Sequence, residues 1–551
     1  MEYSTGTIMG YSTSSTALTI FISYVVYLVV GGLIHSQRLR IRAKKLNCQP
    51  PPILKNNLPL GIDQVTRALK ALATKNFPPD TQKKHKEVNA LTYITSVLGK
   101  DGFATIDEQN IKAMLGTQFP EFDLGAPRID NFLPFLGPGI FAQDGKDWER
   151  SRALMRPQFA RDNLSDLEME ERHFQVLLKA LFEAGQDGWL GEVDIQPLLF
   201  RFTLDTATEF LLGQSVESQL AGIKTASGVK AEDTDIEAFG REFDIGNMAL
   251  AKRSRFAPFS WLIWPKGFGK SISTCHGVID RIVAKHLQKL EASGEAKNPD
   301  RYVFFEALAE KTRDPIELRA QVMNILLAGR DTTASLLGFA ILTLARDPVR
   351  YQKLREIVLN EFGTFNDPKN ITFAHIKTCK YLQWVLNETL RLYPLVPWNF
   401  RVANKDTTLP RGGGKDGKSK IFVKRGSVVE YSSYALHRRE DIWGEDVNEF
   451  KPERWEARKG GWEYLPFNGG PRICLGQQYA LTEASFFIIR LLQKFDQMES
   501  VDKEKVTFNL TLTMYVVRMF KECGGILILG GSEKKRATVV TGSDWRIFVL
   551  S

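Results

Sequence analysis

Apolar residues recur at three- and four-residue spacing over long stretches of this chain, which is the pattern of buried or amphipathic helices. The pattern is clearest in residues 317–345, 349–360 and 477–495. Strand-like segments are shorter and fewer, and alternate apolar with polar residues or are rich in β-branched residues. They lie at 419–423, 427–431, 507–517 and 525–529. The sequence therefore predicts a mainly α-helical protein with small β-sheets.

The N-terminal region contains one candidate membrane span. Residues 3–34 carry no charged side chain, and 17–34 are apolar over a length that crosses a bilayer as a helix. A secretory signal would need a basic residue before the apolar run, but the only charge there is that of Glu2. An uncleaved anchor is favoured over a cleaved signal. The basic residues that follow predict residues 1–16 in the lumen, a span at 17–34 and the rest in the cytosol.

A basic and proline-rich linker, residues 35–60, is predicted between the anchor and a catalytic body at 61–551. Pro50, Pro51 and Pro52 favour a stiff extended segment that sets the angle between anchor and body. The Gly- and Lys-rich residues 411–420 predict an exposed hairpin excursion. No internal repeat or low-complexity tract separates domains, although 551 residues leave two domains possible.

Composition and charge exclude several classes of protein. The 43% hydrophobic and 25% charged residues are ordinary for a globular protein, which disfavours disorder and a polytopic membrane protein. The 5 cysteines lack C-x-x-C spacing, which disfavours a disulfide framework or zinc site and favours a reducing compartment. The net charge of +9 comes with no nucleic-acid-binding motif. Much of the excess follows the apolar run, so it indicates membrane topology instead.

Residues 467–476, FNGGPRICLG, carry the strongest chemical signal. The glycines and proline predict a tight turn that presents Cys474, and the helical pattern after it favours a thiolate through backbone N–H groups and the helix dipole. Phe467 can shield the sulfur, and Arg472 carries a charge suited to a carboxylate. A lone cysteine is usually only a small buried apolar residue. The pattern F-x-x-G-x-R-x-C-x-G, ending at Gly476, occurs by chance with a probability on the order of 10⁻⁴, and therefore favours metal ligation.

This loop resembles the haem-binding signature of the cytochrome P450 monooxygenases, and other motifs of that family follow in order over essentially the whole chain. The resemblance implies a helical fold with haem b between a long distal helix and the cysteine loop, with Cys474 as the axial iron ligand. It also implies O2 as co-substrate and residence in the endoplasmic reticulum membrane. No flavin- or nicotinamide-binding domain is visible, so electrons from NADPH require a separate NADPH–cytochrome reductase, with cytochrome b5 as a second candidate partner. A basic proximal face is expected to dock the acidic reductase.

Residues 328–333, AGRDTT, place polar groups inside an otherwise apolar helical run, where burial is costly without a partner. Thr332 can donate to the carbonyl of Ala328, and with Gly329 this loosens the helix beside the iron. Asp331 and Thr332 form an acid–alcohol pair that can relay the protons needed to split O2, and the family gives the matching positions this role. A simple helix kink is the alternative. The cysteine loop downstream favours the relay.

Glu388 and Arg391 are three residues apart in a helical run and can pair on one face. A surface pair of this kind contributes little. The resemblance implies instead a buried network with Arg454 that supports the proximal haem side. The resemblance also implies a set of residues that bind the haem propionates, in which His437 is equally well an ordinary turn histidine. The set is Trp148, Arg152, Arg401 and Arg472, with His437 as a further candidate.

Residues 137–161, 328–334, 409–417 and 467–486 resemble the fungal family-52 branch, the n-alkane and fatty-acid terminal hydroxylases. The branch implies a long apolar channel that admits a lipophilic chain end-on. Residues 251–268 mix basic and aromatic side chains and predict a membrane-dipping entrance, with an amphipathic surface helix as the alternative. The residues implied to line the substrate pocket are Phe132, Leu133, Phe135, Leu136, Leu512 and Met514.

The C-terminal residues 512–525 depart from the branch pattern, which keeps open a tailoring oxidase for a polyketide or lipid-like fungal secondary metabolite. Two other classes compete with a monooxygenase. A haem-thiolate enzyme that rearranges peroxides would not need the Asp331–Thr332 pair, and a haem sensor or carrier would need neither that pair nor a substrate channel. The presence of the pair therefore favours a monooxygenase.

Overall fold

The structure is a computed structural model that describes residues 13–159, 167–181, 193–226, 235–255, 260–293, 303–500, 506–517, 526–531 and 535–540. Its α-helices are α1 Thr13–Lys45, α2 Ile62–Ala73, α3 Phe77–Val88, α4 Glu108–Lys112, α5 Ala126–Leu136, α6 Gly145–Met155, α7 Leu167–Ala180, α8 Ile195–Leu212, α9 Ser218–Ala226, α10 Asp235–Arg255, α11 Phe268–Ser293, α12 Phe304–Ala309, α13 Pro315–Ala345, α14 Pro348–Phe362, α15 Phe373–Thr378, α16 Lys380–Leu392, α17 Ser433–Leu436, α18 Glu440–Trp443 and α19 Gln477–Lys494.

The strands form one larger sheet and three antiparallel pairs. Their bounds are β1 Thr92–Val97, β2 Lys100–Thr105, β3 Phe122–Asp123, β4 Asn399–Ala403, β5 Thr407–Gly413, β6 Ser419–Val423, β7 Val428–Tyr431, β8 Gln497–Ser500, β9 Thr507–Leu510, β10 Met514–Val517, β11 Ile526–Gly531 and β12 Lys535–Val540. The larger sheet has the order β1-β2-β7-β4-β3, with only β2 and β7 parallel. The pairs are β5–β6, β9–β10 and β11–β12.

The prediction of a mainly helical fold with small sheets is confirmed. Residues 317–345 fall within α13, 349–360 within α14 and 477–495 almost wholly within α19. Residues 419–423 are β6, and 507–517 form the β9–β10 hairpin. Residue 525, the predicted start of the last strand, lies outside the described residues.

Helix α13 is the buried centre of the protein. Between residues 321 and 341 only Ala328, Gly329 and Thr332 keep accessible surface. The N-terminal part of α13 packs in an apolar cluster with α5, α10 and α11, and its C-terminal part packs in a second cluster with α14, α16 and α19. A helix that is apolar on all sides is stable only when it is surrounded in this way. The polar residues 328–333 lie where the two clusters meet.

Local signals set the ends of the helices around this centre. Asp314 caps α13 by accepting a hydrogen bond from the Ile316 N–H at 2.9 Å, and Pro315 occupies the first turn, where its missing N–H costs nothing. Helix α8 is followed by Gly213 with φ of 71°, in the left-handed region that favours glycine at a helix end.

Helix α1 extends well beyond the predicted anchor and ends at Lys45, so the basic cluster is helical rather than part of an extended linker. Two helices of the described chain are long and apolar enough to cross a bilayer: residues 18–45, with mean hydropathy 2.0, and α13, with 1.4. In α13, 78% of the apolar window is buried, which makes it a core helix, whereas α1 buries none of its window.

The segment after α1 is bonded to the catalytic body. The Gln49 N–H donates to the Lys420 carbonyl at 2.8 Å, and the Leu54 N–H donates to the Ile94 carbonyl at 2.9 Å. A Cβ at Gly413 would lie 2.4 Å from the Gln49 carbonyl oxygen, so glycine is needed for this approach. The Gly-rich hairpin was predicted as an exposed excursion, but its glycines at 412 and 413 are buried. Gly413 packs against Gln49 of the linker.

Candidate active site

Cys474 lies in a loop between a 3-10 turn and α19. The Cys474 N–H donates to the Phe467 carbonyl at 3.0 Å and closes the loop. Gly470 has φ of 70°, and a Cβ there would lie 1.7 Å from the Leu115 carbonyl oxygen, so only glycine fits. The side chain of Phe467 is half-buried against the apolar cluster that contains α16 and α19. The backbone therefore determines where the sulfur lies.

The Cys474 side chain is accessible although protein atoms lie around it. Burial raises the pKa of its thiol, whereas the Gly476 N–H and the charge of Arg152 lower it and favour the thiolate. The sulfur is therefore open to a ligand.

A second accessible patch lies on α13. Ala328, Gly329 and Thr332 are spaced so that they share one face of the helix, and this face is accessible although the residues around it are buried. The Thr332 hydroxyl donates to the Ala328 carbonyl at 2.6 Å, as predicted. A Cβ at Gly329 would meet only the Ala207 side chain, at 3.9 Å. The middle of α13 thus has open space on one side.

The Asp331 side chain contacts α10, whereas the Thr332 hydroxyl bonds within α13. It is buried, its Oδ1 lies 3.1 Å from the Nη1 of Arg330, and its Oδ2 accepts from the Nδ2 of Asn247 at 3.3 Å. Burial raises the pKa of Asp331 to about 6, which Arg330 opposes and the nearby Asp244 reinforces. The pKa of Asp331 therefore lies close to neutral pH, which suits an acid that takes up and releases protons. Its carboxyl group, however, is bonded to Asn247 of α10.

The predicted propionate residues come together. The Arg472 guanidinium lies over the Trp148 ring at 4.3 Å and donates to Asp144 at 2.7 Å. Arg152 lies 5.8 Å from the same ring centre and donates to the Ile473 carbonyl of the cysteine loop at 3.0 Å. The Nε atoms of Arg472 and Arg401 are buried and have no hydrogen-bond partner among the described residues.

Arg128 of α5 joins this cluster and was missed in the sequence analysis. Burial and the charge of Arg401 lower the pKa of Arg128 to about 10, and burial with both of these arginines lowers that of Arg472 to about 10 despite Asp144. Arg128 itself donates to Asn399 at 2.7 Å. The largely apolar segment APRIDNFLPFL holds two charged residues, Arg128 and Asp130. A charge in such a segment is a signal that could have identified Arg128.

Comparisons with known proteins agree with this geometry. The sequence profile of the family described as cytochrome P450 matches residues 73–518. This chain belongs to the cytochrome P450 family. The cytochrome P450 monooxygenase g430 of a Fusarium species is 50% identical over 496 residues, 89% of this chain and 87% of the relative. Cytochrome P450 52A13 of Debaryomyces hansenii is 47% identical over 427 residues, which are 76% of this chain and 80% of the relative. Cytochrome P450 52A3-A of Candida maltosa is 45% identical over 472 residues, which are 83% of this chain and 88% of the relative.

The resemblance to the family-52 branch is thereby confirmed, and the chain is a cytochrome P450 monooxygenase. Enzymes of this family use haem iron, O2 and electrons that a reductase passes on from NADPH. The described residues fit haem. Cys474 presents an accessible sulfur, and the four arginines of the cluster, opposed by Asp144 and Asp123, leave positive charge for two propionates. No cluster of three or more His, Cys, Asp or Glu side chains that could hold a bare metal ion occurs in the described ranges.

Glu388, Arg391 and Arg454 of this cytochrome P450 lie together in one buried network. Glu388 and Arg391 have no accessible surface and form paired bonds of 2.8 and 2.9 Å. The Nε of Arg454 donates to Glu388 at 3.1 Å. The Trp455 indole and the Lys451 N–H, each at 3.0 Å, saturate the same carboxylate. This pairing therefore joins α16 to the chain segment before the cysteine loop.

His437 belongs to this scaffold rather than to a propionate site. Its Nδ1 lies 3.2 Å from the Arg391 carbonyl, and its Nε2 accepts from the Leu465 N–H at 2.8 Å. Burial and the charge of Arg391 lower the pKa of His437 to about 3. Both ring nitrogens are used and the ring is neutral, so the turn-histidine alternative holds.

The predicted pocket residues are divided by the structure. Phe135, Leu136 and Met514 have no accessible surface and lie in the apolar core, so the prediction that they line the pocket is wrong. A Cβ at Gly246 of α10 would lie 2.3 Å from the Phe135 ring, which shows how closely that ring packs. A cavity wall would keep accessible surface, as Thr332 does. The remaining three differ in exposure: Phe132 is nearly buried, Leu512 is half-buried and Leu133 is 43% exposed.

Replacing Glu388 is expected to destabilise the protein strongly. Glu388→Gln leaves Arg391 buried without a counter-charge and leaves Arg454 only its pair with Asp446 at 3.0 Å, which should lower the free energy of unfolding by about 3–5 kcal/mol. Urea unfolding of the haem-loaded enzyme measures this. Asp367→Asn is the control, because the Asp367 and Lys369 side chains are 71% and 64% exposed and their pair should contribute less than about 1 kcal/mol. Equal effects of the two substitutions would contradict the prediction.

Proposed function

We propose that this cytochrome P450 hydroxylates the end of a long apolar chain, such as an n-alkane or a fatty acid, with Cys474 as the axial ligand of the haem iron. One observation carries the proposal. The accessible face of α13 offers a single hydroxyl, that of Thr332, beside otherwise apolar surface at the centre of the protein. Such a space suits an apolar substrate that has no polar group to bind near the reacting carbon. The similarity to relatives named as family 52 supports the same substrate class.

The residues of the chain divide the work between them. When bound, haem supplies the iron on which O2 is activated. The Cys474 thiolate would bind that iron and donate electron density to it, and Trp148, Arg152, Arg401, Arg472 and Arg128 would hold the propionates. The Thr332 hydroxyl, oriented by the Ala328 carbonyl, would pass on protons through water. Asp331, whose carboxyl group is held by Arg330 and by Asn247 of α10, would supply those protons.

Two substitutions separate iron ligation from proton supply. Cys474→Ala is expected to abolish the thiolate-dependent band of the reduced carbon monoxide complex, because no sulfur remains to bind the iron. Thr332→Ala is expected to keep that band but to divert NADPH-derived electrons to peroxide, because protons no longer reach the correct oxygen atom. Absorbance spectra and the ratio of product to NADPH consumed measure these effects. A wild-type band in the Cys474 variant would rule out its role as ligand.

We further propose a single-pass protein of the endoplasmic reticulum membrane with a cytosolic catalytic body. The exposed apolar surface of α1 and the basic residues that follow it support this orientation. Trp261, Leu262 and Trp264 are also exposed and fit the predicted membrane-dipping segment, of which residues 256–259 lie outside the described ranges. The exposed cations Lys146 and Arg156, on the helix that carries Arg152 and just after it, suit docking of an acidic reductase or cytochrome b5.

The topology predicts that the chain carries no N-linked glycan. Of its four Asn-x-Ser/Thr sites, starting at residues 163, 370, 387 and 509, Asn370 lies in an exposed turn that could readily be modified in the lumen. Endoglycosidase treatment of microsomes should therefore leave the electrophoretic mobility unchanged. An acceptor site added in an N-terminal extension should be glycosylated and serves as the positive control. A glycan on Asn370 would reverse the proposed orientation.

Spectral titration tests the substrate class directly. Alkanes and fatty acids of increasing length are expected to produce a type I shift, with affinity rising with each added CH2 group because more apolar surface is buried. Turnover with NADPH and reductase should then yield the terminal alcohol. Tight binding of polyketide-like ligands, with no response to alkanes or fatty acids, would instead support the tailoring-oxidase alternative.

A further inference from the structure

A buried polar cluster joins α10 to the middle of α13. The Nη1 of Arg330 lies 2.5 Å from the Oδ1 of Asp244 and 3.1 Å from the Oδ1 of Asp331. The Nδ2 of Asn247 donates to the second oxygen of Asp331 at 3.3 Å. Asp244 and Asn247 are on α10, three residues apart and therefore on one face. Both oxygens of the Asp331 carboxyl group are thus held by this cluster.

The surroundings hold the cluster in place. The Arg330 guanidinium lies between two aromatic rings, 5.1 Å from the centre of the Phe200 ring and 5.8 Å from that of Phe243. The Thr203 hydroxyl donates to the Arg330 carbonyl at 2.8 Å, and the Ser335 hydroxyl donates to the Asp331 carbonyl at 2.6 Å. These contacts anchor the backbone and the side chain of the cationic residue.

The cluster is accessible at one end. The Asp244 side chain is 43% exposed, whereas those of Arg330 and Asp331 are 6% and 8% exposed. The enclosed end is the carboxyl group of Asp331, the residue before Thr332 in the chain. We propose that Asp244, Asn247 and Arg330 are positioning residues that hold the Asp331 carboxyl group, so that proton supply to Thr332 requires α10 to stay packed on α13. This rests on the relay role proposed above for Asp331.

The charges of the cluster affect the protonation of Asp331. Asp331 is buried and shares Arg330 with a second carboxylate, that of Asp244, so it retains a proton more readily than an isolated aspartate. Its pKa is raised to about 6, by burial and by Asp244, while Arg330 opposes both. Two further groups face the cluster from other elements. Arg201 of α8 interacts with Asp244, and Tyr515 of β10 has its pKa raised to about 12 and stays neutral.

Helix α10 can hold these groups in place because it packs closely against its neighbour. A Cβ at Gly246, between Asp244 and Asn247, would lie 2.3 Å from the ring of Phe135 on α5. The backbone of α10 is thus in close contact with α5 at the same turn that contacts Asp331. Any displacement of α10 would separate Asp244 and Asn247 from Arg330 and Asp331 together.

Two substitutions on α10 are expected to shift the titration of Asp331 in opposite directions. Asp244→Asn leaves Arg330 to pair with Asp331 alone, which favours the carboxylate and should lower the pKa of Asp331 by roughly one unit. The protonated fraction at pH 7 then falls by roughly tenfold. Asn247→Ala removes a donor to the carboxylate and should raise the pKa of Asp331. A purely structural role would not produce opposite shifts.

The experiment uses the haem-loaded full chain and two readouts. Infrared titration follows the carboxylic acid stretch that is lost in Asp331→Asn, and product formed per NADPH follows proton supply. With Asp244→Asn, the midpoint of the infrared titration should move to lower pH and the ratio of product to NADPH at pH 7 should fall. Asp280→Asn is the matched control, because Asp280 is 42% exposed and pairs at 2.6 Å with Arg319 of α13, far from Asp331 along the helix. It should leave both readouts unchanged.

The outcomes separate this inference from the proposed relay. If Asp331→Asn keeps the wild-type ratio of product to NADPH, the relay role fails and this inference fails with it. If Asp331→Asn lowers that ratio but Asp244→Asn behaves like Asp280→Asn in both readouts, the relay stands and only the inference is overturned. If the Asn247→Ala variant does not fold, the Asp244→Asn variant tests the inference by itself, because Asp244 is half-exposed.

Discussion

Helix α13 can exist only because two apolar clusters enclose it, and those clusters meet at its middle. The enclosure leaves one accessible face, at Ala328, Gly329 and Thr332, in a helix that is otherwise buried from residue 321 to 341. Burial raises the cost of every polar group in that region, and three neighbouring residues each have a bonded partner. Thr332 bonds to its own helix, Asp331 bonds to α10, and the backbone of Arg330 bonds to α8. The middle of α13 thus combines polar groups with accessible surface.

The opposite side of the cavity is built by a different means. The cysteine loop is held by a glycine that tolerates no Cβ and by a backbone bond to Phe467, while the saturated carboxylate of Glu388 joins the segment before it to α16. Positive charge gathers beside the loop, where Arg401 lowers the pKa of Arg128 and both of these arginines lower that of Arg472. A dianionic cofactor would relieve that repulsion. Rigid backbone places the sulfur, and unbalanced charge favours the propionates of haem.

The anchor connects to this body more firmly than a flexible tether would. Helix α1 continues through the basic residues, and the proline segment adds backbone bonds to the β5–β6 hairpin and to β1. On the far side of the cavity, α10 contacts both α5 and the Asp331 carboxyl group. The same protein body is thus bonded to the linker at one place and carries the Asp331–α10 contact at another.

The features that the sequence by itself determined are local ones. Helix periods, the Thr332–Ala328 bond, the Glu388–Arg391 pair and the cysteine turn all depend on residues within a few positions of one another, so spacing was sufficient. Only the tertiary structure decided the direction of Asp331, the arrival of Arg128 among the propionate arginines, and the burial of Phe135, Leu136 and Met514. These depend on which distant helix packs against a given face. An apolar side chain looks the same in sequence whether it borders a cavity or a neighbouring helix, and a buried charge takes whatever partner packing brings to it.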